Sequence, residues 1–347
     1  MKKVSSIVII AVLLILAVVS VFIYKSKHNS TTVDEEARDF KFKDTAAVTK
    51  IFIADKEGNN CAVTRTPKGW IVNNKYPCRS DAILNLLEAI KHIEVKMPVP
   101  KAGKEGVLKY MASTALKVEI YSGDKLVKQY YVGHESQDHE GSYMLLTDPE
   151  SGENYKDPFL CFIPGFKGFL KPRFLAVENE WRDRLVINFI PPQIKQIKIQ
   201  HFNMRDSSFT IDLNSTTSFS LKNAKGVEIP FDEMKMKQYL AYFQNISYEV
   251  LITGKNKRLT DSLSASKPFC MISITTTSGF STSEYKFYNK QPTGEVIPEH
   301  GITYQTDPDR LYMRFANDKE WALIQYYVFG KLLITPSYFK PATSVKK

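Results

Sequence analysis

The sequence predicts an α+β fold class: an N-terminal transmembrane helix followed by two similar modules, each an antiparallel sheet with helices packed on one face. Three observations support this prediction. A long apolar stretch lies near the N-terminus, and short segments alternate apolar and polar residues as strands do. The order of these segments in the first half of the chain then returns in the second half.

The apolar stretch Ile7–Tyr24 carries few polar side chains. As a helix it would be about 27 Å long, close to the roughly 30 Å hydrocarbon core of a bilayer. Cleaved signal peptides have shorter apolar regions of about 7–15 residues, and two lysines before the stretch are typical of export signals. We therefore expect a single-pass signal-anchor in the cell (inner) membrane, contacting lipid through residues 7–24, with an extracytoplasmic (periplasmic) soluble region.

The formal net charge of +10 raises the question of a nucleic-acid partner. The excess is spread along the chain: +3 over residues 1–43, +1 over 44–185 and +6 over 186–347. No run of five basic residues and no basic helix accompanies it. We therefore expect no nucleic-acid partner.

The first module begins with an alternating strand over 48–55 and a hairpin that turns near Pro67. A helix follows, because four apolar residues recur at helical spacing after Ser80 or Asp81, either of which could cap its N-terminus. These residues are Ile83, Leu86, Leu87 and Ile90. A shorter helix near 104–113 and further strands complete the module.

The second half repeats this order. A new strand begins with the segment 194–199, and the helical stripe returns 153 residues later as Met236, Tyr239, Leu240 and Phe243. Trp321 and Trp181 end similar motifs, D-K-E-W and E-N-E-W, and we expect both in closing helices as core anchors. The chain therefore predicts an internal duplication. The expected parts are an anchor over 1–25, a tether over 26–43, modules over 44–186 and 187–340, and a tail over 341–347.

The segment G-H-E-S-Q-D-H-E-G-S gathers imidazoles and carboxylates, the ligands of zinc and related metals. Its candidate metal ligands are His134 and His139. Glycines bracket the segment and the helical H-E-x-x-H pattern is absent, so a solvated loop between two strands is the favoured interpretation.

Four cysteines are present, and no C-x-x-C pair supports a zinc or thioredoxin-like site. Cys61 and Cys78 bracket the predicted hairpin, which makes a disulfide between them a candidate in an oxidising compartment. Closing this loop would stabilise the fold by about 3 kcal/mol. Two unpaired thiols are the alternative interpretation.

The segment 161–175 combines four phenylalanines with proline and glycine: Phe162, Phe166, Phe169 and Phe174. One interpretation is a loop whose phenylalanine rings pack between the sheet and the helices. The other is an exposed docking surface for a partner or the membrane interface.

No nucleophile-elbow, Walker A, dinucleotide-binding or zinc-protease motif occurs in the sequence. We therefore expect no enzymatic activity and no cofactor.

Several segments, "DTAAVTKIFIADKEGNN", "GWIVNNKYPCRSDAILNLLEAIKHIEVKMPVP", "ALKVEIYSGDKLVKQYYVG" and "GSYMLLTD", resemble the bacterial family known as domain of unknown function 4340. The resemblance covers most of residues 40–190 and, more weakly, the second module. It implies a membrane-anchored envelope protein, with some members associated with gliding-type ABC transport components. The family pattern has no catalytic signature, assigns no site residue and lacks the pair Cys61 and Cys78.

The expected function is a binding or scaffolding component of a cell-envelope assembly, with a membrane-protein partner such as ABC transporter subunits. One alternative is an extracytoplasmic receptor for a small ligand or glycan at the cleft between modules. Another alternative is a metal-dependent enzyme that uses the loop from His134 to His139.

Overall fold

The computed structural model describes residues 19–20, 35–215, 218–278, 281–292 and 305–341. The chain divides into two compact units, Met1–Asp183 (unit 1) and Arg184–Lys347 (unit 2). The predicted anchor lies outside the described residues, except for Val19 and Ser20, which are helical.

Unit 1 is built on a nine-stranded sheet whose neighbouring strands all run antiparallel. Its strands are β1 (Lys50–Ala54), β2 (Asn60–Thr66), β3 (Gly69–Val72), β4 (Tyr76–Pro77), β5 (Glu94–Pro98), β6 (Leu116–Ser122), β7 (Lys125–Glu135), β8 (Ser142–Thr147) and β9 (Phe159–Phe162). Its α-helices among the described residues are α1 (Ser80–His92), α2 (Lys101–Thr114) and α3 (Glu178–Trp181). The strand order is β4-β3-β2-β1-β6-β7-β8-β9-β5.

Helices α1 and α2 cover opposite faces of this sheet. Tyr130 of β7 packs in the main core cluster, to which α1 contributes its buried apolar stripe. The next residue, Tyr131, packs instead in a smaller cluster with Met111 of α2. Successive residues of a strand point to opposite faces, so the two helices lie on different sides of β7.

Unit 2 contains an eight-stranded antiparallel sheet and a two-stranded sheet among its described residues. Its strands are β10 (Leu185–Ile187), β11 (Ile194–His201), β12 (Phe209–Leu213), β13 (Phe219–Asn223), β14 (Ile246–Ser247), β15 (Val250–Ile252), β16 (Cys270–Thr276), β17 (Thr282–Asn289), β18 (Arg310–Phe315) and β19 (Glu320–Gln325). Its α-helices are α4 (Glu233–Ala241), α5 (Lys257–Ala265) and α6 (Tyr326–Phe329). The large sheet has the order β13-β12-β11-β16-β17-β18-β19-β15, and β10 pairs with β14.

The large sheets of the two units have the same topology. In each sheet, the first strand lies between a hairpin on one side and the strand that follows the second helix on the other side. The strand between the two helices forms the far edge of the sheet. Ile51 pairs with Ile120 in unit 1, and Ile197 pairs with Ile274 in unit 2. As in unit 1, the first helix joins the main core and the second joins a separate cluster on the other face.

The predicted fold class is wrong. The described chain is mostly antiparallel sheet, arranged in three sheets, with few helices. In the part of the chain that the structure describes, no helix has the length and apolar character needed to cross a bilayer. The expectation of helices on one face of each sheet also fails. The periodicity of α1 and α2 shows which side of each helix is buried but carries no information about which face of the sheet receives it.

The prediction that two tryptophans end closing helices is correct for one of them. Trp181 is buried at the end of the short helix α3. Trp321 lies in strand β19 instead, and packs against Tyr288 and Leu263 beneath α5. The similarity of the two motifs therefore does not mark equivalent positions.

Candidate functional site

His134 lies near the end of β7, where an irregularity in strand pairing turns its side chain toward α2. Val132 and Glu135 are three residues apart, but their partners on β8 are only two residues apart. An extra residue of this kind reverses the alternation of side chains between the faces of a strand. Val132 packs in the main core, whereas His134, two residues later, contacts Tyr143 on the α2 side.

Gly133 allows α2 to approach the sheet closely beside His134. A Cβ atom at Gly133 would lie 2.8 Å from Cγ of Met111 and 2.9 Å from the carbonyl oxygen of Tyr143. Protein interiors are packed too tightly to absorb a methyl group there without a shift. The close approach brings α2 into contact with the imidazole.

The imidazole of His134 lies between two tyrosine rings. Its centroid is 4.4 Å from that of Tyr110 on α2 and 4.8 Å from that of Tyr143 on β8. Burial lowers the pKa of His134, so the ring is neutral at neutral pH. Its Nδ1 atom is buried without a hydrogen-bond partner among the described residues. The ring therefore retains unused hydrogen-bonding capacity.

An open cleft of about 600 Å³ lies beside these rings. One wall is a face of α2, and the other is the end of β7 with the loop that leads to β8. The lining residues are Gly103, Gly106, Val107, Tyr110, His134, Glu135, Ser136, Gln137, His139 and Tyr143.

Two acidic side chains of the candidate metal loop, Asp138 and Glu140, pair with a lysine. Lys96 of β5 pairs with Asp138 at 3.4 Å and with Glu140 at 3.1 Å. Hydrogen bonds from the Ser136 hydroxyl and the Glu140 backbone N–H lower the pKa of Asp138 to about 2. His139 is exposed on this loop. Across the described ranges, no three His, Cys, Asp or Glu side chains are grouped to hold a metal ion.

The aromatic segment 161–175 forms a second surface feature of unit 1. Beyond β9 the chain turns, and the Phe166 ring lies over Gly168, where a Cβ atom would be 3.0 Å from the ring. The guanidinium of Arg173 stacks 4.3 Å from the centroid of Phe166, which is 37% exposed. A groove of about 450 Å³ runs beside them. Its lining residues are Arg79, Ala82, Asn85, Phe166, Gly168, Phe169, Pro172, Arg173 and Leu175.

The predicted docking surface of four phenylalanines is smaller in the structure. Phe166 and Phe169 line the groove. Phe174 is buried, with its ring centroid 6.0 Å from that of Tyr130, because it fills the core next to that tyrosine. Phe162 is half-buried in β9 and does not line the groove. Phe174 therefore fits the interpretation of rings packed inside, and docking by the other rings stays a prediction.

The candidate disulfide partners are free thiols in the structure, as are the other two cysteines. The predicted hairpin forms, but Val63 pairs with Val72, so the residue opposite Cys61 in this register is Asn74. Cys78 lies four residues farther along the chain. Burial raises the pKa of both Cys61 and Cys78 to about 12. Their pairing stays a prediction.

Comparison of the chain with protein-family models, curated proteins and solved structures found no match. The resemblance to the 4340 family therefore stays a prediction.

The sequence reasoning missed the contribution of α2 to the cleft beside His134. Gly103, Gly106 and Tyr110 recur at helical spacing, and two glycines on one face of a predicted helix are a recognisable signal. Tyr143 carried no such signal, because its contact with His134 depends on the irregular pairing of β7 with β8.

Proposed function

We propose that this protein is a binding or scaffolding component of a cell-envelope assembly, held at the membrane by its apolar N-terminal sequence and exposed outside the cytoplasm. The observation that carries the proposal is the groove beside Phe166, where an exposed aromatic ring is stacked with arginine. The apolar stretch Ile7–Tyr24 and the resemblance to the 4340 family support the cellular location.

The groove has the composition of a protein-binding surface. Phe166 and Phe169 supply apolar surface, and Arg79 and Arg173 lie at its sides. Aromatic residues and arginine are enriched at the centres of protein interfaces. Stacking of Arg173 on Phe166, together with its hydrogen bond to the backbone oxygen of Asn85 at 3.3 Å, restricts both side chains before binding. Less conformational entropy is then lost when a partner binds.

Charge indicates the chemistry of the partner. Arg79 hydrogen-bonds with Asp81, whereas Arg173 and Lys167 form no ion pair with a carboxylate among the described residues. A segment with apolar side chains for the groove and carboxylates for these two cations complements this surface. We propose that such a segment belongs to a membrane protein, and the family resemblance suggests ABC transporter subunits.

Crosslinking in intact cells tests this proposal. Cells carrying the tagged full-length chain are crosslinked, the membranes are solubilised, and the proteins that co-purify are identified. We expect a membrane-protein partner with the wild type and at least about tenfold less of it with Phe166→Ala, since aromatic anchors dominate interface energetics. Met234→Ala is the matched control, because Met234 is a 76% exposed apolar side chain of unit 2.

Two results would contradict the proposal. One is the recovery of the tagged protein alone. The other is equal recovery of the partner with Phe166→Ala and with the control variant.

A further inference from the structure

We infer that the cleft beside His134 is a binding site for a neutral saccharide of one or two rings. The cleft shares no lining residue with the groove beside Phe166, so this inference does not depend on the proposed partner. Its volume of about 600 Å³ falls within the usual range of small-molecule sites. Four further features indicate the ligand class: the wall formed by α2, the aromatic surface, the polar groups and the charge.

Two glycines of α2 line the cleft and place no side chain in it. A Cβ atom at Gly103 or Gly106 would meet no heavy atom within 4 Å, and neither residue has a positive φ. Packing and backbone conformation therefore do not require glycine at either position. A glycine inside a helix destabilises it relative to alanine. The effect of these glycines is to leave open space in front of His134 and Tyr110.

Aromatic surface faces this open space. Tyr110 is 52% exposed although it contacts the imidazole of His134, and Tyr143 also lines the cleft. The faces of aromatic rings carry partial negative charge, which attracts the weakly positive C–H groups of a sugar ring. Covering the exposed apolar surface adds a favourable hydrophobic contribution to binding.

The polar groups of the cleft suit hydroxyl groups. Glu135 offers acceptor oxygens, and Gln137 offers both donors and an acceptor. A sugar hydroxyl donates and accepts, so it can match any of them.

The charge of the cleft disfavours other ligand classes. No Lys or Arg is among the described residues that line it, so a phosphate or sulfate would lack the cations that bind such groups. Glu135 is the one carboxylate among those residues, whereas a divalent cation needs several oxygen ligands. A wholly apolar ligand would leave the polar groups unpaired. A neutral polyhydroxyl ring satisfies both the aromatic and the polar groups.

Saturation-transfer NMR on the full-length protein, in a detergent without a sugar headgroup, tests this inference. The probes are glucose, galactose, mannose, N-acetylglucosamine, cellobiose and lactose. We expect at least one of them to bind the wild type. Gly106→Leu fills the cleft, so we expect it to weaken binding at least about tenfold. Leucine favours helix more than glycine does, so the urea midpoint should stay unchanged or rise.

Ala112→Leu is the matched control, because Ala112 is exposed on α2 but does not line the cleft. We expect wild-type affinity from this variant and weakened binding from Tyr110→Ala. The inference is overturned if no probe binds the wild type, or if Gly106→Leu binds as tightly as Ala112→Leu. Crosslinking at the groove beside Phe166 reports on the proposed partner separately.

Discussion

Units 1 and 2 share a sheet topology but differ in how the space between the sheet and the second helix is filled. The first residue of β6 pairs with Val132, and the first residue of the equivalent strand β16 pairs with Phe287. The next residues along β7 and β17 are Gly133 and Tyr288, which are therefore equivalent. A glycine in one unit stands where the other has a tyrosine.

This difference between Gly133 and Tyr288 gives the two units different surfaces. In unit 2 the rings of Tyr288 and Trp321 lie 4.9 Å apart and pack against Leu263 of α5, so large side chains fill the space. In unit 1 the backbone of Gly133 meets α2 directly, and the cleft opens beside His134. The comparison shows that one topology can keep its core in both units while a cleft opens beside the second helix in one of them.

The largest expected effect on stability comes from removing a large side chain that fills the space beneath the second helix of unit 2. Trp321→Ala should lower the free energy of unfolding of unit 2 by about 3–5 kcal/mol, because it removes a large buried side chain and leaves a cavity. Urea unfolding followed by far-ultraviolet circular dichroism measures this loss. Trp70→Ala is the control, since Trp70 is only partly buried, and its effect should be smaller. A loss below about 1 kcal/mol for Trp321→Ala would refute the packing role given to this residue.

An intermediate effect is expected from adding volume at Gly133 in unit 1. Gly133→Ala should destabilise unit 1 by about 1–3 kcal/mol, because the new methyl group would meet the backbone oxygen of Tyr143 at 2.9 Å. Gly106→Ala is a matched control on the opposing helix. It should stabilise the unit by up to about 1 kcal/mol, since its Cβ atom has open space. Effects of the same sign from both variants would contradict the close approach of α2.

The smallest expected effect concerns the pH dependence of stability. Burial lowers the pKa of His134 in the folded chain, so as the pH falls below 6.5 the unfolded chain takes up the proton more readily. The free energy of unfolding should therefore decrease toward lower pH, and His134→Gln should reduce this decrease. Urea unfolding over a pH series measures it. A wild-type profile from His134→Gln would contradict the burial argument.

Periodicity in the sequence is enough to locate the first helix of each unit. The stripe from Ile83 to Ile90 lies within α1, and the repeated stripe begins with Met236 in α4 and ends at the buried Phe243 just after it. These patterns arise because one side of a helix must be buried whatever it packs against. The buried side of a helix can therefore be recognised in a single sequence.

Other features depend on contacts between distant segments and left little sequence signal. The placement of α2 opposite α1 follows from the packing of Tyr131 on β7 with Met111 on α2, which periodicity does not specify. The orientation of His134 depends on a one-residue shift in strand pairing, and no residue type in the sequence predicts that shift. Nothing in the sequence of segment 161–175 distinguishes the buried Phe174 from its other phenylalanines, because its partner Tyr130 is far away along the chain.

Site-specific photocrosslinking tests most directly whether unit 1 carries the binding surface. A photoreactive phenylalanine analogue is placed at Phe166 in one variant and at Tyr327 in another, because Tyr327 is a 94% exposed aromatic residue of unit 2. Both full-length variants are irradiated in intact cells. We predict an adduct with a membrane protein from position 166 and none from position 327. An adduct from position 327 alone, or equal adducts from both positions, would contradict the assignment of binding to unit 1.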